Sequence, residues 1–67
     1  MQNIGQIRQA YEENYQKIID TITAMGGENR IKEHRQKQST LYRQLRDLQR
    51  REHYLDELEN RFSGKLN

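Results

Sequence analysis

The chain reads as an all-α protein, an antiparallel helical hairpin in which a short helix, a Gly-Gly turn and a long helix follow one another. Three observations point to this class. Apolar residues recur at steps of three and four in two separate stretches. A Gly26-Gly27 pair divides those stretches. No run shows the strict alternation of a half-buried strand. Only 31% of the 67 residues are hydrophobic and 33% are charged, with a mean hydropathy of −1.33. That balance borders on the disordered class, and it is the periodicity that argues for a fold.

The first helix is expected over about residues 3–25. Asn3 is a suitable N-cap, with Gln6 three residues on in a capping-box arrangement. Ile4, Ile7, Tyr11, Tyr15, Ile18, Ile22 and Met25 then form an apolar stripe, which Ile19 widens on one side. Tyr11 and Tyr15 lie on this stripe and are expected in the core. Residues 26–28 make the turn, because glycine closes a helix in the left-handed conformation at little cost. Asn29 is placed to cap the second helix, with Glu28 against that helix's positive end.

The second helix is expected to run unbroken over about residues 29–63. No Gly or Pro interrupts this stretch. His34, Leu41, Leu48, Leu55 and Phe62 recur every seventh residue, and Ile31, Leu45 and Leu58 complete the seam. Gly64 signals its end, and residues 64–67 read as a frayed tail. Residues 1–67 thus form one helical-hairpin domain.

The two helices differ in length. The second would span roughly 50 Å and the first roughly 33 Å at 1.5 Å per residue. Paired back from the turn, the first helix would cover the second only to about residue 52. Tyr54, Leu55, Leu58 and Phe62 would then project without a partner, and an isolated helical end is marginal in water. The overhang predicts self-association through these four residues, as a homodimer forming a four-helix bundle or coiled coil. The small core of so short a chain points the same way.

Charge is unevenly distributed. Residues 1–29 carry two bases against four acids, net −2; residues 30–52 carry eight against three, net +5; residues 53–67 carry two against three, net −1. On one continuous helix Lys32, Arg35, Arg43, Arg46 and Arg50 fall within about 80° of one another, opposite the leucine seam. They would span roughly 27 Å of axis. Such a strip suits phosphate or carboxylate contacts, and charged faces also serve solubility alone.

Candidate chemistry is thin. The chain has no cysteine, which excludes disulfides, thiolate metal sites and a cysteine nucleophile, and favours a reducing, cytoplasmic setting. His53 has Asp56 and Glu57 at helical spacings and His34 has only Gln38, so no metal or other cofactor is expected. Glu12 and Glu13 are adjacent and point about 100° apart, which rules out a paired acid and base on one face. Ser39 and Thr40 have no nearby constellation that would make a nucleophile. No enzyme activity and no small-molecule substrate are expected, since a two-helix hairpin offers little concavity. The N-terminal MQNIGQIRQAYEEN lacks the basic-then-apolar order of a signal peptide, and no apolar run approaches a membrane span.

The sequence therefore predicts a non-enzymatic interaction protein: an adaptor, assembly factor or regulator. It would associate with itself and present a helix face to another protein. The alternative is a nucleic-acid-binding regulator using the basic face. In architecture the chain resembles the small plasmid-encoded RNA-binding helical bundles, a likeness that carries over no individual residues.

Overall fold

The computed structural model describes residues 4–64, with side-chain exposure defined through Phe62. All regular structure in this range is helical: α1 (Ile4–Met25), a 3-10 turn (Glu28–Arg30), α2 (Ile31–Lys37) and α3 (Thr40–Gly64). Asn3, expected as the first N-cap, lies outside the described residues. Helix α3 includes Gly64, which the sequence places beyond it.

Helices α1 and α3 pack against each other in opposite directions. Arg8 meets Glu59 at 3.9 Å, the Tyr11 hydroxyl donates to Glu52 Oε1 at 3.3 Å, and Asn14 Nδ2 donates to the Leu48 carbonyl at 2.9 Å. Residue numbers rise on α1 as they fall on α3. Ile18, Met25 and Leu45 form the buried cluster near the turn, with Ile22, Ile31, Leu41, Tyr42 and Leu48 packed around it. Ile7 and Leu55 are buried towards the other end.

Helix α1 ends where Gly26 and Gly27 take positive φ values of 105° and 104°. The Gly27 amide donates to the Ile22 carbonyl and the Gly26 amide to that of Thr23. This is a Schellman arrangement, and it satisfies carbonyls that the helix leaves open. The Asn29 side chain does not cap the next element. Gly27 sits at the N-cap of the 3-10 turn and Arg30 at that of α2, both without a side-chain cap bond.

The expected unbroken second helix is in fact two helices. At Gln38 the chain turns left-handed, with φ 50° and ψ 47°. The Gln38 amide donates to the Arg35 carbonyl and the Ser39 amide to that of His34, each at 3.1 Å. This repeats the Schellman arrangement at the end of α1, with a glutamine in place of glycine. Ser39 Oγ then accepts from the Tyr42 amide at 3.1 Å, an N-cap for α3. His34 fastens the joint: its Nδ1 lies 2.7 Å from Ser39 Oγ and its Nε2 3.1 Å from the Met25 carbonyl oxygen.

This bend shortens the overhang. A single helix over residues 29–62 would reach about 51 Å, whereas the longest dimension of the molecule is 43 Å. Residues 28–39 are spent closing the end of the hairpin, so α3, with 25 residues, nearly matches α1, with 22. Leu55, expected to project into solvent, is only 5% exposed. It lies between Glu52 and Glu59, both of which meet α1.

One core position also departs from expectation. Asn14, not Tyr15, takes the place between Ile7 and Ile18, and it is 3% exposed. Tyr15 is 54% exposed and Ile19 39%. A helix buries a stripe with a mean period near 3.5 when it packs on one long neighbour. The steps from Ile7 to Tyr11, Asn14, Ile18 and Met25 fit that period, and Tyr15 falls one position beyond it.

Candidate macromolecule-binding surface

The break at Gln38 divides the basic strip. Lys32 and Arg35 belong to α2, while Arg43, Arg46 and Arg50 belong to α3. The expectation of one continuous strip is therefore corrected, because a left-handed residue redirects the helix axis between the two groups. The three α3 arginines keep a common face, at steps of three and four residues along about 10 Å of axis. All five bases are exposed.

The ion pairs among the described residues lie elsewhere. Arg8 pairs with Glu59, and Arg30 and Lys37 both pair with Glu33. Hydrogen bonds from Arg30 and Lys37, and then their charge, hold the Glu33 carboxyl below its usual range. Lys32, Arg35, Arg43, Arg46 and Arg50 form no ion pair among the described residues. Arg46 and Arg50, four residues apart, are a like-charge pair that does not favour the helix.

Arg46, Gln49, Arg50, Glu52, His53 and Asp56 line an open groove of about 480 Å³ along α3. One end is cationic. The other holds Glu52 and Asp56, beside the Tyr11 hydroxyl. Partial burial, followed by the charges of Glu52, Asp56 and Glu59, raises the Tyr11 phenol above its ordinary value. A second groove of about 370 Å³ lies between α1 and α3, lined by Lys17, Thr21, Gln44, Asp47 and Leu48. No group of three or more His, Asp or Glu side chains converges as a metal site among the described residues. No helix among them is long and apolar enough to cross a membrane.

The four residues expected to mediate self-association separate. Leu55 is buried, Leu58 is half-buried, and Tyr54 and Phe62 are 59% and 41% exposed. Tyr54, Leu58 and Phe62 follow one another at steps of four and form a slanting stripe beside the seam. Sequence reasoning missed a similar pair on α1, Tyr15 and Ile19. Their spacing of four was legible, but assigning Tyr15 to the core concealed it.

Two polar features also escaped the sequence reading. Asn14 sits at helical spacing between Tyr11 and Ile18, and a stripe drawn through apolar residues alone passes over it. Ser39 stands three residues before Tyr42, an N-cap spacing in the middle of an apparently continuous helix. The chain matches no family model, no curated protein and no solved structure.

Proposed function

We propose that the chain is a non-enzymatic helical interaction protein, an adaptor, assembly factor or regulator, whose working surface is the arginine face of α3. Nucleic acid is the partner this face suits best. The observation that carries the reading is the unpaired state of Arg43, Arg46 and Arg50. Three exposed guanidinium groups share one helix face, while the ion pairs of the described residues involve other bases. Guanidinium groups so placed can each meet a phosphate through two donors.

Fluorescence anisotropy with labelled single-stranded RNA and duplex DNA tests this. Three phosphate contacts predict a log–log salt slope of about −2 for a single strand and about −2.7 for a duplex. Affinity should then fall roughly 15- to 40-fold between 50 and 200 mM salt. Changing Arg43, Arg46 and Arg50 to Gln should abolish binding while leaving the circular dichroism spectrum intact. Absence of binding to either nucleic acid at low salt would reject the reading.

Self-association is a second reading. It draws support from the stripe of exposed Tyr54 and Phe62 with half-buried Leu58 between them, and from the small number of buried apolar side chains among the described residues. Sedimentation equilibrium decides it. Alanine at these three positions should shift a dimer to monomer, and a wild-type chain that stays monomeric at micromolar concentration would sink it.

A further inference from the structure

Three observations converge on the joint between α2 and α3. Gln38 is the one non-glycine residue among those described with a positive φ, a conformation that L-residues adopt at a disadvantage. No Gly or Pro occurs between Glu28 and Ser63, so nothing covalent stops a helix from continuing through residues 37–40. Helix α2 buries no residue. Its anchors are Ile31, packed beside the core, and the two hydrogen bonds of His34. An element held this lightly lies at the low-stability end of a fold.

The leucine seam supplies an alternative register. Asn14 bonds to the Leu48 carbonyl and Tyr11 to Glu52, so facing positions on the two helices add to about 62 or 63. Suppose instead that the helix continues through Gln38 while the turn at Gly26 and Gly27 is kept. Met25 then comes level with about Arg30, and facing positions add to 55. The difference is 7 or 8, about one heptad. Leu41, Leu48 and Leu55 recur at that interval, so a slip of this size presents the same face to α1. Leu41 replaces Leu48 opposite Asn14, and Leu48 replaces Leu55.

We infer that the hairpin has two registers one heptad apart. In the bent register α2 closes the end of the hairpin. In the straight register α2 and α3 join into one helix from Ile31 to Gly64, and α3 slides by about 10 Å along α1. The bent register is the ground state because it covers Leu55, whereas the straight one brings His34 and Gln38 to seam positions. Straightening relieves the left-handed residue and leaves Leu55 and Leu58 beyond the end of α1, beside Phe62, which is exposed in both registers. This inference is independent of the arginine face and of any partner.

The absence of native cysteine permits site-specific labelling. Nitroxides at Asp20→Cys and Glu57→Cys, both exposed positions, report the slip by pulsed dipolar spectroscopy. Gln38→Ala combined with Ser39→Ala removes the bend's cap and keeps its left-handed penalty. It should create a second population whose interspin distance is longer by about 10 Å, seven residues at 1.5 Å each. Thr40→Pro should lock the bent form. Thr40 opens α3, where proline is tolerated, but proline inside a continuous helix is not. Added to the double variant, Thr40→Pro should erase the long population. The inference is overturned if no long population appears, if Thr40→Pro leaves it in place, or if the double variant loses helical ellipticity rather than changing register.

Discussion

The imidazole of His34 stands between the carbonyl of Met25, at 3.1 Å from Nε2, and the hydroxyl of Ser39, at 2.7 Å from Nδ1. A carbonyl can only accept, so Nε2 carries the hydrogen and Nδ1 of the neutral ring accepts from Ser39. Ser39 Oγ in turn accepts from the Tyr42 amide. One side chain thus ties the end of α1 to the start of α3. Replacing His34 with Ala should destabilise the fold by about 1–3 kcal/mol, because partly buried polar groups lose partners. Ser39→Ala should cost about 1 kcal/mol as a lost N-cap. The two should be non-additive in a double-mutant cycle read by urea unfolding. Strict additivity would mean that the two side chains do not act as a unit.

Asn14 satisfies its amide nitrogen on Leu48, while its Oδ1 is buried without a partner. An unsatisfied buried acceptor is unfavourable by about 1–3 kcal/mol. Asn14→Leu should therefore stabilise the hairpin, by about 1 kcal/mol once crowding is allowed for. It should also loosen the register, since a single polar seam residue specifies alignment. Urea unfolding measures the first effect and the dispersion of amide NMR signals the second. A loss of stability greater than about 1 kcal/mol would show that the Leu48 bond outweighs the orphaned oxygen.

Leu55 distinguishes a covered α3 from a projecting one. Its burial at 5% predicts that Leu55→Ala costs about 2–5 kcal/mol, the range for a truncated core leucine. Tyr54→Ala, one residue away and 59% exposed, should stay within about 0.5 kcal/mol. Chemical denaturation at a protein concentration low enough to hold the chain monomeric separates this from any effect of association. Equal, small effects at both positions would restore the overhang.

Two titrating groups define a pH dependence. Glu33 is held below its ordinary value in the folded chain, so the unfolded state binds its proton more readily. Its stabilisation is present above the ordinary carboxylate value of 4.5 and is lost as pH falls below it. Tyr11 is raised in the folded chain, so its stabilisation holds below the ordinary value of 10.0 and is lost as pH rises through the folded value. Glu33→Gln should flatten the acid limb of a stability–pH curve, and Tyr11→Phe the alkaline limb. Both groups are accessible to water, which keeps the effects small. Unchanged limbs in the variants would assign the dependence to other groups.

The sequence alone determined that the chain is helical, that α1 ends before Gly26, and that one leucine seam runs through the second half. Local rules suffice for these: apolar spacing, glycine's freedom at positive φ, and the absence of proline. The bend at Gln38 was not legible, because no residue there forces it. No Gly or Pro opposes a continuous helix from Asn29 to Phe62, and the N-cap spacing of Ser39 to Tyr42 permits a bend without requiring one. What decides for the bend is tertiary: it brings Leu55 under α1 and lets His34 reach Met25 and Ser39 at once. That single decision also split the basic strip between α2 and α3. The exchange of Tyr15 for Asn14 in the core is tertiary too, since it depends on which face α1 turns to α3. Register against a partner helix is a property of two surfaces together, and spacing along one chain leaves it open by whole heptads.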